Sequence, residues 1–311
     1  MNNTLVRSLS GTLFLIIMTG SLLWGPVIFA LVMLFAILLM TKEFLSISLN
    51  NAYKTSRLIT LATSFVLYLL FFLYFHNNMD IRFFWLLVFP FTGILISILY
   101  YKEHSNNSNN SNNNHKKENV AKNNLGIKDN HNLYSNRQVT NYSRTGFLLM
   151  APLYIALPFS LTNTILFDSQ GAYMPYTLLS MFIILWSCDV GAYVFGISFG
   201  QKNGHKLFPS ISPKKSWEGF FGGLTSALIT GVILYYINLI LFSITHILAL
   251  SAIIFIFGVF GDLVESLFKR NFGVKDSGNI MPGHGGLLDR FDSALLALPA
   301  AIAYIKIFDL I

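Results

Sequence analysis

Nine runs of roughly twenty predominantly apolar residues each leave this chain few folds to choose from. They are Leu5–Trp24, Pro26–Leu45, Arg57–Phe75, Ile81–Tyr101, Gly146–Leu166, Pro175–Phe199, Phe220–Phe242, Ile247–Leu267 and Leu287–Phe308. Hydrocarbon offers a peptide group no hydrogen-bond partner, so runs of this length must satisfy their own backbones as helices. The expected fold is an all-α polytopic integral membrane protein with about nine transmembrane helices. Charged residues make up 11% of the chain, against about 25% in soluble domains. The net charge of +7 therefore belongs to loops at a membrane surface, and no nucleic-acid partner is expected.

Charge placement predicts the orientation. Alternating spans put Arg7, the 41–57 loop and the 102–145, 200–218 and 265–290 loops on one side. Of the 21 Lys and Arg residues, only Arg82 and Lys306 fall on the other side. Loops rich in Lys and Arg stay in the cytoplasm, so the N-terminus is expected inside and the C-terminus outside. The first run lacks a small-residue cleavage site before Gly25-Pro26, and apolar sequence resumes at once. It reads as a retained span rather than a cleaved signal. The single cysteine, Cys188, excludes an internal disulfide and a Cys-rich metal site; within an apolar run it is expected to be a small core residue.

Three regions follow: N-terminal transmembrane helices over 1–101, an Asn-rich cytoplasmic insertion over 102–145, and a catalytic transmembrane domain over 146–311. The insertion, with its Asn106–Asn114 run of Asn and Ser, has little apolar surface to bury and is expected to be disordered.

Polar chemistry concentrates near the end, between Ser266 and Asp292. Here stand Lys269, Arg270, Lys275, Asp276, His284, Asp289, Arg290 and Asp292, interleaved with Gly273, Gly278, Gly283, Gly285 and Gly286. Basic side chains suit phosphate oxygens and paired carboxylates suit a divalent cation. Pro282-Gly283-His284-Gly285-Gly286 leads into an apolar helix, whose free amides and positive end are expected to face a phosphate. Asp289 and Asp292, three apart, are expected on one face and able to share an ion.

Three further acids or basic runs stand out. Asp189 lies deep in an apolar span, four residues before Tyr193; an intramembrane carboxylate is costly and usually functional. In Ser210–Gly219, Ser212 before Pro213 reads as a helix N-cap and first helical residue, placing Lys214 and Lys215 in the first turn, beside an anion. Asp262 and Glu265 share a face at the end of their span, close to where Asp289 and Asp292 begin the last one. Oxygen-only ligands of this kind point to Mg²⁺, with room for a second cation, divalent or monovalent. Gly222, Gly223, Ser226 and Ala227 form a small-residue face suited to helix packing inside the chain or to a homodimer seam.

These motifs resemble a known family. S-x-x-K-R-x(4)-K-D-x-G-x(4)-G-H-G-G-x-x-D-R-x-D over Ser266–Asp292, S-P-K-K-S-x-E-G over Ser212–Gly219 and D-x-x-A-Y over Asp189–Tyr193 are similar to those of the phosphatidate cytidylyltransferases. The resemblance covers roughly Ala172 to the end; the preceding spans match only in hydropathy. It implies an integral membrane enzyme that makes CDP-diacylglycerol and diphosphate from CTP and phosphatidic acid, in phospholipid biosynthesis. It implies a location in a bacterial inner membrane with the site facing the cytoplasm. In that reading Asp262, Asp289 and Asp292 hold Mg²⁺. Asp189, Lys214, Lys215, Lys269, Arg270, Lys275, Asp276, His284 and Arg290 are catalytic or neutralise phosphates. Ser212, Gly283, Gly285 and Gly286 contact the nucleotide. A secondary transporter for an anionic solute would also bury acids, but the halves show no internal repeat and the polar residues gather toward one surface. A CTP-dependent lipid kinase would use similar parts and transfer the γ-phosphoryl group instead.

Overall fold

The computed structural model describes residues 3–49, 53–99, 141–168, 170–200, 205–209 and 211–311. Most of the Asn-rich insertion expected over 102–145 lies outside the described residues. The chain is helical almost throughout: α1 (Asn3–Trp24), α2 (Pro26–Leu49) and α3 (Lys54–Asn77) come first. A 3-10 turn, Ile81–Leu87, then leads into α4 (Val88–Leu99). Next come α5 (Asn141–Ala151), a π turn at Pro152–Ala156, and the short α6 (Leu157–Leu161) and α7 (Asn163–Leu166). The last four helices are α8 (Pro175–Phe199), α9 (Trp217–Tyr236), α10 (Ile244–Asn271) and α11 (Leu288–Ile307).

Among the described residues, six helical segments are long and apolar enough to cross a membrane by length and composition. These are α2, α3, the composite Arg144–Leu166, α8, α9 and α10. The three other expected spans are helical but fall short of those criteria. Ser8–Trp24 and Ile81–Ser97 are shorter apolar helices, and α11 carries Asp289, Arg290, Asp292 and Lys306 in 20 residues. The protein is thus an all-α membrane protein.

One local expectation is corrected. Ser212–Ser216 is not a helix start but a strand, β2, paired antiparallel with β1 (Lys206–Phe208). Helix α9 begins only at Trp217, with the Ser216 hydroxyl accepting from the Gly219 N–H at 3.2 Å. The reason is electrostatic and local. Two lysines are poorly placed in a first helical turn, whereas Ser216 with Glu218 behind it makes a favourable one. The lysines instead ride on an extended arm.

Two packing features hold the last four helices around the site. First, α9 packs on its neighbours through small residues: a Cβ on Gly222 would run into Phe195 of α8, and one on Gly223 would lie 2.7 Å from Phe255 Cε2 of α10. Ala227 on the same face is fully buried. The small-residue face packs against other helices of the same chain. Second, the N-terminal helices brace α10 and α11. Phe44 of α2 stacks on Phe268 of α10 at 4.5 Å, and Phe14 of α1 meets Phe291 of α11 edge-on at 5.3 Å. Aromatic pairs of this kind add about 0.5–1.5 kcal/mol beyond the area they bury.

Candidate active site

A cavity of about 290 Å³ opens where α8, β2, α9 and α10 converge. Asp189, Lys214, Lys215 and Asp262 line its polar part; Leu185, Phe220, Phe255 and Val259 line its apolar part. The strand matters here. As extended chain beside the N-terminus of α9, β2 can hold Lys215 over α10, where its Nζ meets Asp262 Oδ2 at 2.7 Å. Lys214, the preceding residue, is exposed at the rim. Asp262 also accepts from Ser266 Oγ at 3.1 Å. Asp189 has no hydrogen-bond or ion-pair partner among the described residues and lies in the electrostatic reach of Asp262, Lys215 and Arg290. Cys188 also lines this cavity; it is buried as expected, yet it borders the site.

Helices α10 and α11 run antiparallel, and their adjoining ends gather the remaining acids. Lys269, buried, bridges Glu265 Oε2 at 2.5 Å and Asp289 Oδ1 at 2.6 Å. Asp292 accepts the Ser293 N–H at 2.6 Å and has no cation partner among the described residues. It feels the charges of Asp262, Glu265 and Asp189 instead. Asp289 and Asp292 therefore have different engagements: one faces Lys269 and the loop, the other the carboxylates around the cavity.

The loop before α11 departs from expectation. Its chain reverses tightly at Pro282-Gly283-His284, with Met281 N–H to Gly285 O at 3.0 Å and His284 N–H to Met281 O at 2.9 Å. Gly285 takes φ +85°, a backbone state that side chains resist. Of the amides expected to face a phosphate, those of Gly286, Leu287 and Leu288 are bound by the protein's own carboxylates. Asp289 Oδ2 accepts from the N–H groups of Ser277 (2.9 Å) and Gly286 (2.8 Å). Glu43, from α2, accepts from Leu287 N–H at 3.0 Å, Leu288 N–H at 2.8 Å and Ser277 Oγ at 3.1 Å. The anion at this helix end is internal.

The other predicted residues stand around this loop. His284 Nδ1 pairs with Ser10 Oγ of α1 at 2.7 Å, and Arg290 Nη2 donates to His284 O at 3.1 Å. Arg270 donates to Val274 O at 3.2 Å, closing the end of α10. Lys275 and Asp276 are exposed, and Ser212, half-buried, starts β2 away from the cavity lining. Sequence reasoning missed Glu43, which stands beside Lys42 where charged residues are ordinary, and Ser10. It noted Glu265 without giving it a role.

The oxygen donors of Asp189, Asp262 and Asp292 are of the kind that takes a divalent cation. Among the described residues no three His, Cys, Asp or Glu side chains are arranged to enclose one ion. Mg²⁺ rarely asks for such a cage; one or two carboxylates hold it, and phosphate oxygens and water complete its shell. Asp189 and Asp292 have no direct ion-pair partner among the described residues, and Asp262 pairs with Lys215. Asp262 repels both Asp189 and Asp292, and a cation among these acids would offset that repulsion.

Comparison with known proteins agrees with this geometry. The model of the cytidylyltransferase family matches residues 5–308, and the chain belongs to that family. Among curated proteins it is similar to the phosphatidate cytidylyltransferases of Staphylococcus haemolyticus (strain JCSC1435) and Staphylococcus aureus (strain COL). Identity is 43% over 159 residues in each case, 51% of this chain and 58% of the relative. That of Staphylococcus epidermidis (strain ATCC 12228 / FDA PCI 1200) is 41% identical over the same length. The chain thus spans a little over half the length of the relatives it matches.

Proposed function

We propose that the protein is a phosphatidate cytidylyltransferase, joining CTP and phosphatidic acid into CDP-diacylglycerol with release of diphosphate. The observation that carries this reading is the mixed lining of the cavity. Lys214, Lys215, Asp189 and Asp262 line it together with Leu185, Phe220, Phe255 and Val259. The charged residues suit phosphates and their cation, the apolar ones the body of a lipid. Family membership and the names of the bacterial relatives support the same reaction.

The chemistry follows from charge placement. A phosphatidate oxygen attacks the α-phosphorus of CTP, the bond to the β-phosphate breaks, and diphosphate leaves with the electron pair. A phosphate monoester is already anionic near neutral pH, so no strong general base is required. What the site must supply is position and neutralisation. Lys214 and Lys215 take up phosphate charge on the extended arm. Asp262, Asp292 and Asp189 would hold Mg²⁺, which when bound supplies positive charge to the triphosphate. Lys269 keeps Asp289 and Glu265 paired, so the first turn of α11 stays fixed while substrates exchange.

The site is assigned to the cytoplasmic side of a bacterial inner membrane, following the distribution of Lys and Arg. In a Cys188→Ala background, a cysteine replacing Ile280 should react with an impermeant maleimide only from the cytoplasmic side. One replacing Asn238 should react only from the opposite side; reaction of both from one face would refute the orientation.

The test of the reaction uses purified protein in lipid vesicles. CTP, phosphatidic acid and Mg²⁺ together should yield CDP-diacylglycerol and equimolar diphosphate, and chelation should stop turnover. A folded protein that makes neither product under these conditions would remove the reading.

A further inference from the structure

We infer that Glu43 is a positioning residue for the reaction: a carboxylate on α2 that sets the pose of the glycine-rich loop and of the first turn of α11. This rests on the proposed cytidylyl transfer. The side chain is 5% exposed and 244 positions distant in sequence from the amide of Leu287 that it binds. Each of its three partners is a donor, so both oxygens act as acceptors. Two are backbone N–H groups at the start of α11, where unpaired donors and the positive helix end favour an anion. The third, the Ser277 hydroxyl, ties the other limb of the loop to the same carboxylate.

The glycines supply a second line of argument. A Cβ on Gly278 would lie 2.7 Å from Glu43 Oε1, and one on Gly286 would lie 2.6 Å from Oε2. Both are backbone closures around this carboxylate. Ser277 and Gly286 also donate to Asp289, so Glu43 and Asp289 hold the same two loop limbs. Asp292 follows three residues later on the same helix. A shift in the pose of this turn moves the acids relative to Asp262 and Lys215, and sub-ångström errors in such a geometry are costly.

The experiment compares the full-length wild type with Glu43→Gln in lipid vesicles. Gln keeps the shape and one acceptor but loses the charge and the second acceptor, leaving a helix-start amide unpaired. The expected kcat loss is about 30-fold, or about 2 kcal/mol, with KM for CTP within about twofold and the protein still folded at the assay temperature, though with a lower unfolding midpoint. The Mg²⁺ concentration for half-maximal rate should rise. In the Cys188→Ala background, a cysteine at Ile280 should react with maleimide at least about fivefold faster when Glu43 is replaced. Ser277→Ala, which removes one contact, should shift kcat and labelling in the same direction by a smaller factor, and decides the matter if Glu43→Gln does not fold. Wild-type kcat and labelling in the folded variants would overturn the inference, as would a kcat loss in Ser277→Ala matched by loss of folded protein. Should the wild type make no CDP-diacylglycerol, the cytidylyltransferase reading fails, while the labelling rates still decide whether Glu43 holds the loop.

Discussion

Asp262→Asn is expected to lower CDP-diacylglycerol formation at least about a hundredfold, some 2.7 kcal/mol of transition-state stabilisation. Asp262 is the acid on which the site converges. It pairs with Lys215 at 2.7 Å, accepts from Ser266 and repels Asp189 and Asp292 across the cavity. Asn is nearly isosteric and keeps the Ser266 contact, so folding should be preserved. On the proposed reaction, what is lost is the charge that would hold Mg²⁺ and that pairs with Lys215. The loss should appear mainly in kcat, and raising Mg²⁺ should recover little of it. Steady-state kinetics on vesicle-reconstituted protein read this directly; a folded variant with near-wild-type turnover at limiting Mg²⁺ would detach Asp262 from the reaction.

Gly286→Ala should be as damaging by a wholly different route. The added methyl would run into Ser277 Oγ, lie 2.6 Å from Glu43 Oε2 and lie 2.7 Å from the Gly278 backbone nitrogen. A flexible side-chain tip could yield, but the backbone nitrogen cannot without moving the loop. Overpacking of this kind costs about 1–3 kcal/mol, and the displaced turn carries Asp289 and Asp292 with it. Activity should fall at least about a hundredfold while a substantial part of the protein still inserts and folds. Gly146→Ala is the control: it lies in α5 with nothing within 4 Å of the added carbon, and activity should be unchanged. Melting curves and turnover measured side by side separate the two effects. Wild-type turnover in Gly286→Ala would mean that the loop tolerates a shift this account forbids.

How much of this was legible in the chain depends on whether a residue's cost is local. Asp189 and Asp262 sit in apolar spans, where a carboxylate is conspicuous, and the structure brings both to one cavity. The helices themselves follow from apolar runs that lipid leaves no other way to satisfy. Ser212-Pro213 was less clear, because a serine before a proline opens a helix or a strand equally well. The choice fell to Ser216, a better cap, and to pairing with Lys206–Phe208. The partners of the amides at the start of α11 were hidden for a stronger reason. A glycine-rich helix start looks vacant in sequence, and only the fold brings Glu43 from α2 to the Leu287 and Leu288 amides. Glu43 stands next to Lys42 near a span end, where a charged pair raises no suspicion.

The reaction itself is tested most directly by following the two ends of the nucleotide. Vesicle-reconstituted protein is given phosphatidic acid and Mg²⁺ with CTP labelled at either the α- or the γ-phosphate. This account predicts that the α-label enters the lipid fraction as CDP-diacylglycerol and that the γ-label leaves only as diphosphate. Entry of the γ-label into lipid, with the α-label left on soluble nucleotide, would contradict it and make the protein a lipid kinase.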